Sequence, residues 1–423
     1  MRVNHIFLAL QKFKNVIFII LGNGCGKGIS ALGSLLVARL YAPKEFGTLS
    51  IYLSIFMICS CFVTLQLENA VVFVKRESEA QKIALTALVI CSMMSIFTGV
   101  FLLFVSYCSS KFNFQIPNYL SLILIFHLIA YGYHEILINW SLRKMKFKLI
   151  ATSQIILHFS LISIQIILGY LKYNTAIHLI IGFMGGYMFS LLYLGIKNKA
   201  LLKTNFYINF SLKILKKHMH YIIYSVFPAL LDQIRLATPI FLLNKYFSSD
   251  AGGLFFLSLK ILNFPLTLFG NAFSKVILQK YSHNFNKHHS INEITKEFFP
   301  IVLTCGFVSY LSILILGKNF FLIILGENWV NIIPIISILC LGVCAEFFAL
   351  PFLNIFSVVK QQNILGIWKA SFLIVMILGL YLSLKTSMLT VFLWVYSLIN
   401  TVLYIISFLL NIKTVKLVDF KND

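Results

Sequence analysis

The chain has 423 residues, 59% of them hydrophobic and only 11% charged, with a formal net charge of +22. An ordinary soluble domain carries roughly 25% charged residues, so a soluble enzyme, a disordered chain and a nucleic-acid-binding module are excluded. The basic excess sits in loops between apolar runs, which marks membrane topology before it marks nucleic acid.

A helix that crosses a bilayer needs about 20 mostly apolar residues, because lipid satisfies no backbone polar group. Ahead of the first such run, Arg2, Lys12 and Lys14 alternate with Ile6, Phe7, Leu10 and Phe13. That pattern suits a short amphipathic segment over residues 1–14, lying on the membrane surface. Twelve runs follow, near 15–41, 46–74, 83–107, 117–139, 149–170, 175–196, 219–245, 252–279, 299–317, 331–357, 363–383 and 387–411. The first is too long for a cleavable signal peptide, and no soluble domain follows it. The pattern therefore predicts an all-α integral membrane protein of twelve transmembrane helices.

Lys and Arg crowd the N-terminus, the even-numbered loops and the C-terminus. Clusters such as Arg143, Lys144, Lys146 and Lys148, or Lys213, Lys216 and Lys217, should face the cytoplasm, and both termini with them. No loop is long enough for a separate catalytic domain, and neither an Asp-x-Asp motif nor a Walker-type Gly-rich loop is present. Catalysis is not expected. The eight cysteines lie nearly all in apolar segments without the paired spacing of zinc sites; Cys340 and Cys344, four apart on one helix, approximate a ligand pair but read as small membrane-buried side chains. No metal site is expected.

An internal duplication organises the helices. Tyr41, Glu45, Gly47 and Leu49 recur at a constant offset of 205 as Tyr246, Asp250, Gly252 and Leu254. In each copy the acid is expected to cap the following helix, and the glycine to relieve a tight turn. The repeat predicts two pseudo-symmetric six-helix lobes, residues 1–205 and 206–423. Six is even, so both insert the same way round, about an axis along the membrane normal.

Charged side chains deep in a bilayer cost about 2.5–3.5 kcal/mol on insertion scales, so they should face a partner or a water-filled cavity. Lys27, Asp232, Arg235, Lys260 and Glu346 are deep, whereas Arg39, Glu68, Glu135, Lys275 and Lys369 sit nearer helix ends. Helical periodicity groups Asn23, Lys27, Ser30 and Ser34 on helix one, and Ser50, Ser54, Cys61, Thr64 and Glu68 on helix two. It groups Ser225, Asp232 and Arg235 on helix seven, and Lys260, Asn263, Thr267, Asn271 and Ser274 on helix eight. These four faces predict a shared aqueous vestibule. In it Lys27, Arg235 and Lys260, extended by Arg39 and Lys275, would meet an anionic headgroup. Asp232, Glu68 and Glu346 would balance the charge, Asp232 with a coupling proton, while Asn23, Ser30, Asn263 and Asn271 supply polar lining. At the repeat offset Lys27 corresponds to Asp232. Pro228 and Pro265 fall inside helices seven and eight and are expected to kink them. His127, His158 and His178 lie singly on separate helices and read as hydrogen-bonded core residues.

Several segments resemble a known family. Arg39-Leu40-Tyr41-Ala42-Pro43-Lys44-Glu45-Phe46-Gly47 resembles the helix-one exit of Wzx-type polysaccharide flippases, and Glu68-Asn69-Ala70-Val71-Val72 their second-helix end. Phe247 to Leu254 with Asn263-Phe264-Pro265-Leu266, then Leu325-Gly326-Glu327-Asn328-Trp329 and Pro351, resemble the second-half counterparts. The resemblance covers most of the chain and lies within the multidrug/oligosaccharidyl-lipid/polysaccharide exporter superfamily. It implies a MATE-like fold in the bacterial inner membrane, moving undecaprenyl-pyrophosphate-linked oligosaccharide repeat units to the outer leaflet by alternating access through a cationic cavity. The product would be O-antigen, as in lipopolysaccharide, or capsule. It also implies no bound cofactor, coupling to a proton or sodium gradient, and a polysaccharide polymerase and chain-length regulator as partners alongside the lipid bilayer. A drug or ion antiporter would show an acidic vestibule, a peptidoglycan-precursor flippase two further helices, and a polymerase an outer catalytic loop. A structural scaffold would leave the deep charges unexplained.

Overall fold

The computed structural model describes residues 24–108, 118–202, 212–287, 289–359 and 361–422. The surface segment expected at 1–14 and the lining residue Asn23 lie outside them. Among the described residues the structure is helical, with no strand, and eleven helices are long and apolar enough to cross a membrane. The helix over 24–40 (α1) is the described part of the first expected span. The eleven candidate spans follow the second to twelfth expected runs in order.

Contacts divide the chain into two compact units. One runs to Leu40 and resumes over Tyr52–Gln233, and the other takes Tyr41–Ile51 and Ile234–Asp423.

In the first unit, α2 (Pro43–Val63) ends where the sequence suggested one unbroken span. Leu65 and Gln66 take left-handed backbone angles (φ 51° and 58°), and a separate α3 (Leu67–Phe73) follows. A helix end leaves carbonyls without partners, and here α5 (Asn118–Arg143) supplies them. The Arg143 guanidinium donates to the carbonyls of Val71 (3.0 Å), Val74 and Lys75 (3.2 Å). Arg143 is thus a structural clamp as well as a topology marker. After α4 (Glu77–Cys108), Lys144 pairs with Glu77. The helices α6 (Phe147–Tyr170) and α7 (Ala176–Lys197) approach closely because α7 presents Gly182 and Gly186. A Cβ at Gly186 would lie 2.8 Å from the Leu157 carbonyl oxygen. Small residues let membrane helices pack in this way, and Gln165 Nε2 (2.8 Å to the Leu179 carbonyl) locks the pair. A short α8 (Lys199–Leu202) closes this half.

The second unit begins with α9 (Leu212–Tyr246), which enters it at Ile234. Then α10 (Ser249–Pro265) runs into a π-helical turn, Leu266–Gly270, before α11 (Asn271–Asn286). Pro265 therefore produces a π segment instead of the simple kink expected. A π turn holds one residue more than an α turn, so Lys260 and Asn263 lose the straight stripe they were expected to share with Asn271 and Ser274. Next, α12 (Asn292–Leu325) breaks at Gly317, whose φ of 64° is left-handed. The helix α13 (Ile332–Ala349) packs on α16 (Leu389–Asn422), where Ser397 Oγ bridges the Ile338 carbonyl (2.7 Å) and the Gly342 amide (3.1 Å). Short α14 (Ile355–Val358) and α15 (Gln362–Ser383) complete the unit.

The duplicated turns meet inside this second unit. A Cβ on Gly47 would lie 1.9 Å from the Ser249 carbonyl oxygen, and one on Gly253 would lie 1.9 Å from that of Pro43. The start of α2 thus packs backbone to backbone against the start of α10. Of the repeat glycines Gly47 serves this approach, whereas Gly252 lies against the Asn244 side chain, and neither has the positive φ of a tight turn. The expectation about capping also changes. Ser248 is the N-cap of α10, its Oγ accepting from the Ala251 amide at 3.1 Å, while Asp250 stands in the first turn. A hydroxyl at the cap reaches the free amide that a carboxylate two residues on does not.

Candidate functional site

The charges within the spans fall unequally on the two units. The helix α9 passes between them after Gln233, so Asp232 belongs to the first and Arg235 to the second. The first unit holds Lys27, Glu68, Glu135 and Asp232, and the second Arg235, Lys260, Lys275, Lys369 and Glu346.

In the first unit α5 presents His127, Tyr131 and His134 at helical spacing on one face, with Glu135 beside them. His127 stacks on Phe56 (centroids 4.0 Å) and takes the Tyr52 hydroxyl at Nδ1 (3.1 Å). Tyr187 of α7 closes the group, 5.4 Å from each histidine and 5.5 Å from Tyr131. His134 Nδ1 lies 3.1 Å from Glu135 Oε1. Glu68, on α3, is buried at 7% exposure and lies in the electrostatic field of Glu135. Cys61 feels both Asp232 and Glu68, and Glu68 feels Glu135, so these acids act on one neighbourhood. Sequence reasoning assigned His127 correctly to the core but passed over Tyr52, Tyr131, His134 and Tyr187. The stripe at 127, 131 and 134 was the signal that could have found them.

The helix-two stripe is not an open vestibule wall. Ser50, Ser54, Cys61, Thr64 and Glu68 are all buried. In hydrocarbon a polar side chain is as well served by a neighbouring helix as by water, and burial is what the structure chooses here. Lys27 and Arg39 are exposed on α1, and Ser30 is half-buried there. His158 abuts Gly26 and His178 bonds Thr175 (2.8 Å).

In the second unit Arg235 lies over the Phe372 ring, 4.6 Å from its centroid, in cation–π geometry. Phe372 meets Trp368 (5.2 Å) and Tyr404 (5.4 Å) edge-on. The Tyr404 hydroxyl donates to Glu346 Oε1 at 2.8 Å, and its environment includes the charges of both Arg235 and Glu346. Arg235 and Glu346 are therefore gathered around one aromatic cluster built by α9, α13, α15 and α16. Residues 368 and 372 are one helical turn apart, a spacing legible in the sequence but not singled out. Lys260 and Asn263 are half-buried on α10, and Asn263 Oδ1 has no hydrogen-bond partner among the described residues. Asn271 is exposed and bonds the Thr267 carbonyl (3.1 Å), while Ser274 is held by Asn354 (2.8 Å). Lys275 is exposed and lines a surface cleft of about 830 Å³ with Gln279, Ser282 and His283. Along the chain the π turn lies between this lysine and Lys260.

Among the described residues no group of three His, Cys, Asp or Glu side chains is placed to hold a metal ion.

Residues 36–334, most of the chain, match the family described as polysaccharide biosynthesis protein. The chain belongs to the polysaccharide biosynthesis protein family. No curated protein matches it. Solved structures similar to this polysaccharide biosynthesis protein are membrane transporters. An inward-facing multidrug resistance MATE family transporter of the MOP superfamily matches with a TM-score of 0.74 at 11% identity, over 93% of this chain and 95% of that one. The lipid II flippase MurJ, in an inward closed conformation, matches with a TM-score of 0.74 at 14% identity, over 94% of this chain and 87% of that one. A MOP superfamily transporter from Pyrococcus furiosus matches with a TM-score of 0.62 at 12% identity, over 96% of both chains. At these identities the likeness is one of fold. The polysaccharide biosynthesis protein is a multi-pass, all-α membrane protein with the MATE and MurJ architecture, as the resemblance read from residues 39–47 and 325–329 implied.

Proposed function

We propose that this protein is a flippase, moving undecaprenyl-pyrophosphate-linked oligosaccharide repeat units from the cytoplasmic to the outer leaflet of the bacterial inner membrane, for O-antigen or capsule. The observation that carries the reading is the family match over residues 36–334. A polysaccharide-building protein that is almost all membrane helix, with no catalytic loop or metal motif in its sequence, is suited to carrying its product's precursor. A fold shared with a lipid II flippase supports a lipid-linked cargo.

The chemistry of the second unit agrees. A pyrophosphate carries negative charge that a bilayer rejects, and guanidinium pairs with it in two-pronged fashion. Arg235, oriented by Phe372 and tempered by Glu346, supplies that group, with Lys260 on the same unit as a second cation. Alternating access coupled to a proton gradient is the proposed cycle, with both termini in the cytoplasm.

A deletion strain tests the reading. Lipid-linked repeat units should accumulate in the cytoplasmic leaflet and surface polysaccharide should disappear, and the wild-type gene should restore it. Arg235→Glu should fail to restore it while reaching the membrane in normal amount. Normal surface polysaccharide in the deletion strain overturns the proposal.

A further inference from the structure

Several buried polar atoms of the first unit have no hydrogen-bond partner among the described residues, and three of them belong to titratable groups around Tyr131 and Tyr187: Glu68 Oε2, His127 Nε2 and His134 Nε2. Native proteins keep few such atoms, because each forfeits its hydration for nothing. These three share one neighbourhood, through Tyr131 and Tyr187.

The hydrogen bonds decide which of them takes a proton. Between His134 Nδ1 and Glu135 Oε1 one hydrogen is needed, and a neutral imidazole supplies it to a carboxylate. A second proton on that ring would place an N–H at Nε2 with no acceptor. The same holds for His127, whose Nδ1 is met by Tyr52. Glu68 differs. Thr64 meets its carboxyl group, yet Oε2 has no donor, and the charge of Glu135 reaches it. Two carboxylates in a poorly polarisable interior repel strongly. A proton on Oε2 likewise meets no acceptor among the described residues, but it removes a charge, where a second proton on either ring would add one.

The surrounding titratable groups leave this assignment intact. The helix α2 contributes Tyr52, Cys59 and Cys61, α4 contributes Cys91, α5 contributes His127 and Tyr131, and α7 contributes Tyr187. Asp232 on α9 adds negative charge, acting on Cys61. His158 on α6 faces Gly26 of α1, the helix that carries Lys27. The Arg143 guanidinium is spent on backbone carbonyls at the end of α3.

We propose that Glu68 is the proton-binding residue through which the transport cycle is driven, with His134 holding the neighbouring Glu135 carboxylate in place. The proton adds to Oε2, converting carboxylate to carboxylic acid, and the His134–Glu135 bond persists in both states. This deepens the flippase reading above and rests on it for the word transport, while the proton site itself is measured independently.

Infrared difference spectroscopy of the full-length protein in lipid nanodiscs, titrated across pH, reports the carbonyl stretch of protonated carboxylic acids. Wild type should show a titrating signal that Glu68→Gln removes. Glu68→Asp and the exposed control Glu77→Gln should retain it. No titrating signal in wild type, or an undiminished one in Glu68→Gln, overturns the proposal. In the complemented deletion strain Glu68→Gln should reach the membrane but lower surface polysaccharide at least tenfold. Normal polysaccharide from a variant that has lost the signal overturns the driving role. A deletion without effect on polysaccharide overturns the flippase reading, and the infrared result then stands or falls alone.

Discussion

The backbone contact between the starts of α2 and α10 supports a quantitative prediction. Replacing Gly253 by alanine places a Cβ 1.9 Å from the Pro43 carbonyl oxygen and 2.9 Å from the Gly47 amide nitrogen. Ordinary contact begins at 3.4 Å, so the two backbones must part by about 1.5 Å. No side-chain rotation relieves the clash, because both colliding groups are backbone. Overpacking costs typically 1–3 kcal/mol, and this geometry belongs at the upper end. Helix propensity works the other way, favouring alanine over glycine by about 0.8–1.0 kcal/mol in a helix interior. The net expectation is a loss of about 2 kcal/mol for Gly253→Ala, and the same for Gly47→Ala, which meets the Ser249 carbonyl oxygen at 1.9 Å. Gly366, on α15, has nothing within 4 Å of its Cβ position, so Gly366→Ala should be neutral or slightly stabilising. Thermal unfolding of the detergent-solubilised protein, followed by the monomer peak in size-exclusion chromatography, separates the three. Stability of Gly47→Ala and Gly253→Ala equal to that of Gly366→Ala would refute the close approach.

Two further outcomes follow from charged contacts. Arg143→Ala should destabilise by about 2–3 kcal/mol, because hydrogen bonds to a charged group are each worth roughly 1.5–3 kcal/mol and three carbonyls at the end of α3 lose the donor they share. Arg143→Lys should recover only part of this, since an ammonium lacks the guanidinium fork. Limited proteolysis between α3 and α4 is the readout, and wild-type protection in Arg143→Ala contradicts it. Tyr404→Phe should cost about 1.5–3 kcal/mol by removing the hydroxyl that donates to Glu346 Oε1, and the second exchange Glu346→Gln should restore much of the loss. A double-mutant cycle on thermal stability that shows no coupling between the two positions rejects that bond.

Hydropathy and helical period made the membrane class, the run of spans and the duplication at Gly47 and Gly252 legible, because these are one-dimensional signals. The same signals located the deep charges at Asp232, Arg235, Lys260 and Glu346. They did not show what each side chain meets. A stripe shows which residues share a face but not what that face meets, so Ser50 to Glu68 read as a cavity wall and proved buried. The π turn after Pro265 shifted the register of α10 against α11, which no fixed period anticipates.

The amino-acid sequence by itself determined that this protein lives in a bilayer, since 59% apolar residues in lipid-length runs admit no other solvent. It determined the family as well, through short motifs at helix ends where backbone geometry tolerates few residues. Only the tertiary structure decided which side chains meet. Arg235 with Phe372 and Tyr404 with Glu346 come from helices far apart in sequence. Such pairings depend on how helices rotate and approach one another, and that is settled by packing of whole faces, which no local pattern encodes.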